Sequence, residues 1–364
     1  WAYFFFLGIA GLRRGRRHSD RCGPANELDA YTAGGYTAAM PAAAHASLND
    51  AQRAAATYGG RRADGRYDAG PLLVIAGAGT GKTSTLAHRV AHLVLEGADP
   101  ARILLLTFTR RAAEEMTRRA ESIVAEALRG ARGGGSRAAF RLPWSGTFHS
   151  VANRLLRQHA AAVGLEPGFS VIDRGDAADL LDLLRHEAGH SRQERRFPRK
   201  DTCLAIYSHR VNGGRELGEV LRDGFPWCAE WEPELRALFR GYVERKQANG
   251  VLDYDDLLLW WHAMMGEPAL AARVGAGFDH VLVDEYQDTN ALQAGILLAL
   301  KPDGRGLTVV GDDAQAIYSF RAAKVDNILE FPGRFSPAAA VVKLEVNYRS
   351  TKPVLAAANA LIAG

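Results

Sequence analysis

One segment constrains this chain more than any other: Ala76-Gly77-Ala78-Gly79-Thr80-Gly81-Lys82-Thr83, preceded by the apolar run Leu72–Ile75 and followed by the helical pattern Ser84–Leu95. A strand, a glycine-rich loop and a helix in that order bring backbone N–H groups and a helix N-terminus to one point, which suits phosphate oxygens. Lys82 would reach the β- and γ-phosphates of a nucleotide, and the Thr83 hydroxyl would ligate Mg²⁺. The strict pattern starts with Gly where this chain has Ala76, so the loop needs a second element beside it. Val281-Leu282-Val283-Asp284-Glu285 supplies one, as an apolar strand ending in two carboxylates. Asp284 is placed to hold the metal through water, and Glu285 to take a proton from an attacking water.

Other β-rich apolar runs recur at Ile103–Leu106, Leu307–Val310 and Val341–Leu344, each followed by a turn and a helical pattern. That alternation predicts an α/β fold, a parallel sheet with flanking helices. Between about Arg157 and Gly250 the pattern turns mostly helical, which reads as an insert in the α/β domain. At 47% hydrophobic and 24% charged, the composition excludes a disordered or collagenous chain. Net charge is only +4, but Arg102–Arg157 holds 11 arginines against 4 glutamates, and Arg185–Arg215 has 8 basic against 3 acidic residues. Those segments could face a polyanion. The three cysteines form no C-x-x-C pair, so neither a zinc knuckle nor a disulfide framework is readable, and a reducing cytoplasm fits. The apolar run Trp1–Leu12 falls short of the roughly 18 residues that a membrane span needs. Its arginines follow rather than precede it, unlike a secretory signal. Residues 1–47 read as a disordered leader.

These blocks and several others resemble the UvrD/Rep/PcrA-type superfamily-one DNA helicases, from Leu48 to the end of the chain. Leu48-Asn49-Asp50-Ala51-Gln52 resembles the Q motif, and the glycine loop is motif I, where a leading Ala is usual. Thr107-Phe108-Thr109 with Ala112–Met116 resembles motif Ia, and Gly146-Thr147-Phe148-His149-Ser150 motif Ib. Asp253-Tyr254-Asp255-Asp256-Leu257 is similar to the block that re-enters the motor domain, and Val283–Asn290 to motif II. Gly311–Gln315 with Ile317-Tyr318-Ser319-Phe320-Arg321 resembles motif III, and Asn347-Tyr348-Arg349-Ser350 motif IV.

The resemblance implies a RecA-like motor domain 1A over 48–157 and 251–335, a helical domain 1B over 158–250, and the start of a second motor domain 2A over 336–364. It implies an ATP- and Mg²⁺-dependent helicase moving 3′ to 5′ on single-stranded DNA and acting at single-strand/duplex junctions. Residues 76–83 (Ala76, Gly77, Ala78, Gly79, Thr80, Gly81, Lys82 and Thr83) with Ser84 would bind the nucleotide. Gln52 would read the adenine edge and Tyr348 would stack on it, while Gln315 and Arg349 would sense the γ-phosphate. Phe108, Thr147, His149, Tyr318, Phe320 and Arg321 would line the DNA path. Some positions depart from the pattern. Arg110-Arg111 replaces a common Asn-Lys, Ser84 a frequent Arg, Phe320 a Trp and Ala322 a Gly, and the Gly59–Gly70 loop lengthens the spacing from Gln52 to Ala76. Motifs V and VI have no counterpart before Gly364, which implies that the C-terminal motor half is lacking here and that this chain alone has little activity. A module that binds nucleotide and single-stranded DNA without turnover is the competing reading.

Overall fold

The computed structural model describes residues 45–131, 141–190, 197–317 and 322–363. They divide into two compact units. One gathers Leu156–Val211 and Arg215–Leu257; the other gathers the described residues up to Leu155, with Asn212–Gly214 and those from Leu258 on.

The second unit is built on six strands: β1 (Leu72–Ala76), β2 (Ile103–Thr107), β3 (Trp144–Thr147), β4 (His280–Val283), β5 (Leu307–Gly311) and β6 (Ala340–Leu344). They lie in the order β6-β1-β5-β4-β2-β3, and every pairing is parallel. Leu72 and Val74 of β1 and Ile103 and Leu105 of β2 alternate along their strands, so each pair lands on one face. Helix α1 spans Asp50–Ala56, α2 Lys82–Leu95 and α3 Arg110–Ala131. Leu86, Val90 and Leu93 of α2 and Met116 and Ala120 of α3 recur at helical spacing and close over that face. Each such leucine removed from water contributes roughly 1.5–3 kcal/mol. Helix α4 follows β3 (Phe148–Val163).

The segment 336–364, expected to open a second domain, supplies the edge strand β6, because Ala340–Leu344 finds its backbone partners on Leu72–Ala76. The apolar run Trp1–Leu12 and the leader through residue 44 lie outside the described residues. No helix among the described residues is long and apolar enough to cross a membrane.

The first unit is helical. It contains α5 (Arg174–Glu187), most of α6 (Lys200–Gly213), α7 (Leu217–Gly224) and α8 (Glu232–Ala248), with the short parallel pair Ser170–Val171 and Val251–Leu252. Leu181, Leu217, Leu221, Leu235 and Phe239 are buried in it. So is Lys246, whose Nζ donates to Asp253 Oδ2 and Asp256 Oδ2, both at 2.6 Å, while the Tyr242 hydroxyl donates to the same Asp253 oxygen at 2.7 Å. Burial alone would lower the Lys246 pKa, but Asp256 and Asp253 outweigh it and hold the ammonium charged.

Candidate nucleotide and nucleic-acid site

In a parallel sheet all strands point one way, so the loops that leave their C-terminal ends gather on one edge, and ligands bind there. Here the loop after β1 is Gly77–Gly81. Gly81, at φ +87°, turns the chain into α2 as its N-cap, and a Cβ there would sit 2.6 Å from Gln52 Nε2. Only glycine fits that turn and that approach. The Gln52 amide is committed at both ends. Its Oε1 accepts from Asn49 N (3.0 Å) in the capping box of α1, and its Nε2 donates to Thr80 O (2.9 Å). Gln52 therefore ties the start of α1 to the glycine loop. Thr80 Oγ1 donates to Gly77 O at 2.8 Å and fixes the loop from within. Thr83 and Ser84 follow in the first turn of α2, half-buried.

The strand β4 delivers the carboxylates. Glu285 adopts φ +51°, a left-handed conformation that costs a non-glycine residue strain and that gathers at functional sites. Its Oε2 accepts from Lys82 Nζ at 3.1 Å and from Gln287 Nε2 at 2.8 Å. The Gln287 Oε1 in turn accepts from Asp312 N at 3.0 Å, and Gln315 Nε2 donates to Asp312 Oδ2, so motif III is joined to motif II. Asp284 is buried, and its Oδ1 has no hydrogen-bond partner among the described residues. Burial, with the Glu285 charge beside it, pushes the Asp284 carboxyl up to about 7, against the pull of Lys82. An unpartnered buried carboxylate oxygen beside a phosphate loop is the donor that a Mg²⁺ ion takes, and the ion would favour the ionised form. The residues present fit the metal.

The loop after β6 folds back on the glycine loop. Asn347 Nδ2 donates to Ala78 O at 2.6 Å and Tyr348 N to Gly79 O at 2.8 Å. Asn347 Oδ1 accepts from Arg349 N (2.9 Å) and Ser350 N (2.8 Å), which shapes the turn. The Tyr348 hydroxyl accepts from Asn49 Nδ2 at 2.8 Å, while its ring is 61% exposed and open to stacking. Gln52, residues 76–84, Asp284, Glu285, Gln315, Tyr348 and the Arg349 backbone are thus gathered at one edge of one sheet.

The residues expected to line a DNA path leave the neighbouring strands. Phe108 follows β2 and is exposed. Thr147 ends β3, with its Oγ1 accepting from Ser150 N at 3.3 Å, and His149 stands half-buried in the first turn of α4. Between α3 and β3 lies a cleft of about 530 Å³ whose lining includes Arg110, Thr117, Arg118, Ser145 and Ser150. Tyr318, Phe320 and Arg321 lie outside the described residues. Sequence reasoning missed Asn49, Gln287 and Asn347 as site residues. The first had a signal in the Asn49-x-x-Gln52 capping pattern; the other two act through long-range contacts that no local pattern announces.

A parallel sheet with a glycine loop, a lysine opening the next helix and two carboxylates after β4, the second of them paired with that lysine, defines a P-loop nucleotide-binding protein. The model of the UvrD/REP helicase N-terminal domain matches residues 52–336, and the chain belongs to that family. It is 36% identical over 318 residues to DNA helicase II of Escherichia coli, covering 87% of this chain and 40% of that protein. It is 36% identical over 295 residues to the ATP-dependent DNA helicase PcrA of Leuconostoc citreum, covering 80% and 37%. Against PcrA of Staphylococcus aureus the identity is 34% over 298 residues, covering 80% and 38%. The chain therefore spans about 40% of the length of these relatives.

Proposed function

We propose that this chain is the nucleotide-binding part of an ATP- and Mg²⁺-dependent DNA helicase. The protein translocates 3′ to 5′ on single-stranded DNA, opens duplex at single-strand/duplex junctions, and works in the cytoplasm. The observation that carries the reading is the 3.1 Å approach of Lys82 to Glu285 beside the buried Asp284, whose Oδ1 has no hydrogen-bond partner among the described residues. Residues 48–157 and 251–335 form the first motor domain and 158–250 its helical insert. The second motor domain opens within 336–364, after the edge strand β6.

In this reading Lys82 and the N–H groups of Gly77–Gly81 hold the phosphates, Gln52 steadies their loop, and the exposed Tyr348 ring stacks on adenine. Thr83 and Asp284 would hold Mg²⁺, which would supply positive charge against the phosphate oxygens. Glu285 Oε2 accepts the proton of the attacking water once phosphate takes its place beside Lys82. Gln315 senses the γ-phosphate and is coupled through Asp312 and Gln287 to Glu285 in motif II, and Arg349 adds positive charge at the γ-phosphate. Phe108, Tyr318 and Phe320 stack on bases, and Thr147, His149 and Arg321 track the backbone. Hydrolysis needs the second motor domain, because loss of an arginine finger typically removes about 10³–10⁵ from phosphoryl transfer. This chain alone binds Mg-ATP and turns it over near background.

The test is ATP hydrolysis by the protein extended through its native downstream sequence, with and without single-stranded DNA. DNA-stimulated turnover is expected, and Glu285→Gln should keep ATP binding while stopping it. Hydrolysis at the parental rate by Glu285→Gln would overturn the base assignment. Nucleotide and DNA binding with no turnover in the extended protein would favour a non-catalytic module.

A further inference from the structure

The carboxylates of motif II are followed by a tight turn, Tyr286–Asp288, and then by Thr289 and Asn290, the N-cap of α9 (Ala291–Leu300). Two further buried asparagines, Asn327 and Asn212, close on this dipeptide. Asn327 Nδ2 donates to Thr289 O at 2.9 Å and approaches Thr289 Oγ1 at 3.2 Å. Asn290 Oδ1 accepts from Gln293 N at 2.9 Å, which aims its Nδ2 outward from the helix, and that Nδ2 donates to Asn212 Oδ1 at 2.9 Å. Asn212 sits in the last turn of α6, far away in sequence, and groups with the α/β unit. Lys324 N adds a bond to Thr289 O, and Asn290 pairs with Ala323 in an isolated antiparallel bridge.

Inside the turn, Asp288 N donates to Glu285 O, and both Thr289 N and Thr289 Oγ1 donate to Tyr286 O. Four residues therefore separate Glu285 from a point fixed on all sides. Glu285 and Ala322 are the two non-glycine residues with positive φ among the described residues, at +51° and +61°. They lie on the two chain segments that the asparagines join. Strained backbone of this kind persists only where its surroundings over-determine it.

From this geometry we infer that Asn212 is a positioning residue for the metal and base carboxylates: through Asn290 it fixes the turn that aims Asp284 and Glu285. The inference rests on the nucleotide-hydrolase reading above. It goes beyond it by giving the end of α6, which no motif marks, a role in the metal site. Removal of its amide leaves Asn290 Nδ2 buried without an acceptor, and the turn shifts to satisfy it. Outer partners of metal ligands typically change metal affinity by 10–100-fold when lost.

The experiment uses this 364-residue chain, a fluorescent ADP analogue and Mn²⁺ as the metal probe. Nucleotide affinity is measured in chelator, and Mn²⁺ affinity is then measured on the nucleotide-loaded chain by electron paramagnetic resonance. For Asn212→Leu, metal-free nucleotide affinity should stay within twofold of the parent, while Mn²⁺ affinity falls about tenfold. Asn212→Asp, which keeps the acceptor oxygen, should restore it to within threefold. Asn212→Ser, too short to reach Asn290, should repeat the leucine result and replaces it if that variant fails to fold. Unchanged Mn²⁺ affinity in the leucine or serine variant overturns the proposal. Equal loss of metal-free nucleotide binding also overturns it, because the role is then general stability. A parental chain that binds nucleotide with no metal dependence sinks the hydrolase reading and this inference with it.

Discussion

Gly79→Ala tests whether the loop after β6 is held on the glycine loop as the structure has it. Gly79 stands at φ +78°, and a Cβ there would come within 2.7 Å of Arg349 Cβ and 2.9 Å of Asn347 Nδ2. An L-residue in the left-handed region costs about 1–2 kcal/mol. Relief of the clash must push Asn347–Arg349 away, which breaks the bonds from Asn347 Nδ2 to Ala78 O and from Tyr348 N to Gly79 O. Each is worth about 0.5–1.5 kcal/mol net. The left-handed strain falls on the glycine loop whether or not the segment docks, so what the variant loses from the docked arrangement is the two bonds, about 1–3 kcal/mol. The Tyr348 amide reports on it directly, because its partner is Gly79 O. Hydrogen exchange at that amide should accelerate by about 5- to 150-fold, at roughly 1.4 kcal/mol per decade. Gly65→Ala is the control: its φ is also positive, at +80°, but nothing lies within 4 Å of the added carbon. Unchanged protection of Tyr348 in Gly79→Ala, with the fold intact by circular dichroism, would refute the docking.

Lys246→Met strands two buried carboxylates and should cost about 3–5 kcal/mol in denaturant unfolding of the helical unit; adding Asp253→Asn and Asp256→Asn should recover most of it. A Lys246→Met chain within 1 kcal/mol of the parent would contradict the buried cluster. Burial pushes His45 down to about 4, His92 to about 3 and His280 to about 4, helped in turn by His88 and by Arg89. Since the unfolded chain takes up these protons near pH 6.5 and the folded chain does not, their stability contribution is full above pH 6.5 and is lost as pH falls toward 4. The loss should be about 1–2 kcal/mol for each histidine between pH 7 and 5. His280→Leu should flatten that slope in melts run across the range, whereas an equally steep slope would exclude His280 as a source. Phe108→Ala should weaken single-stranded DNA binding by about 1–3 kcal/mol while leaving the salt slope, set by phosphate contacts, in place. Equal affinity by fluorescence anisotropy would return Phe108 to a packing role.

Much of the sheet was legible because its central strands are buried on both faces and read as apolar runs. Leu72–Ile75, Ile103–Leu106 and Leu307–Val310 each fall one residue short of the strand observed, since the pairing carries on into Ala76, Thr107 and Gly311. The strand Trp144–Thr147 left no such mark. Among the described residues it pairs only with β2, is half-buried, and offers Trp-Ser-Gly-Thr where a central strand would show three or four apolar residues. Strand β6 shows the opposite limit. Its apolar run was visible, but its partner was not, because nothing in Ala340–Leu344 says that its hydrogen bonds go to residues about 270 positions earlier.

The same distinction runs through the site. Lys82, Thr83, Asp284 and Glu285 could be found because each stands at a fixed offset within a short segment whose local geometry does the positioning. What holds these segments against one another is long-range: Gln52 on Thr80, Asn347 on Ala78, Gln287 on Asp312, and Asn212 on Asn290. All four use a side-chain amide, which can donate and accept at once and bears no charge to compete with phosphate or metal. A charged residue in those places would add a fixed field of its own to the segments that carry Lys82 and Glu285, where burial weakens screening. Neutral amides can thus brace a charged site without shifting its electrostatics, and for that reason the bracing residues carry no charge pattern by which a sequence could reveal them.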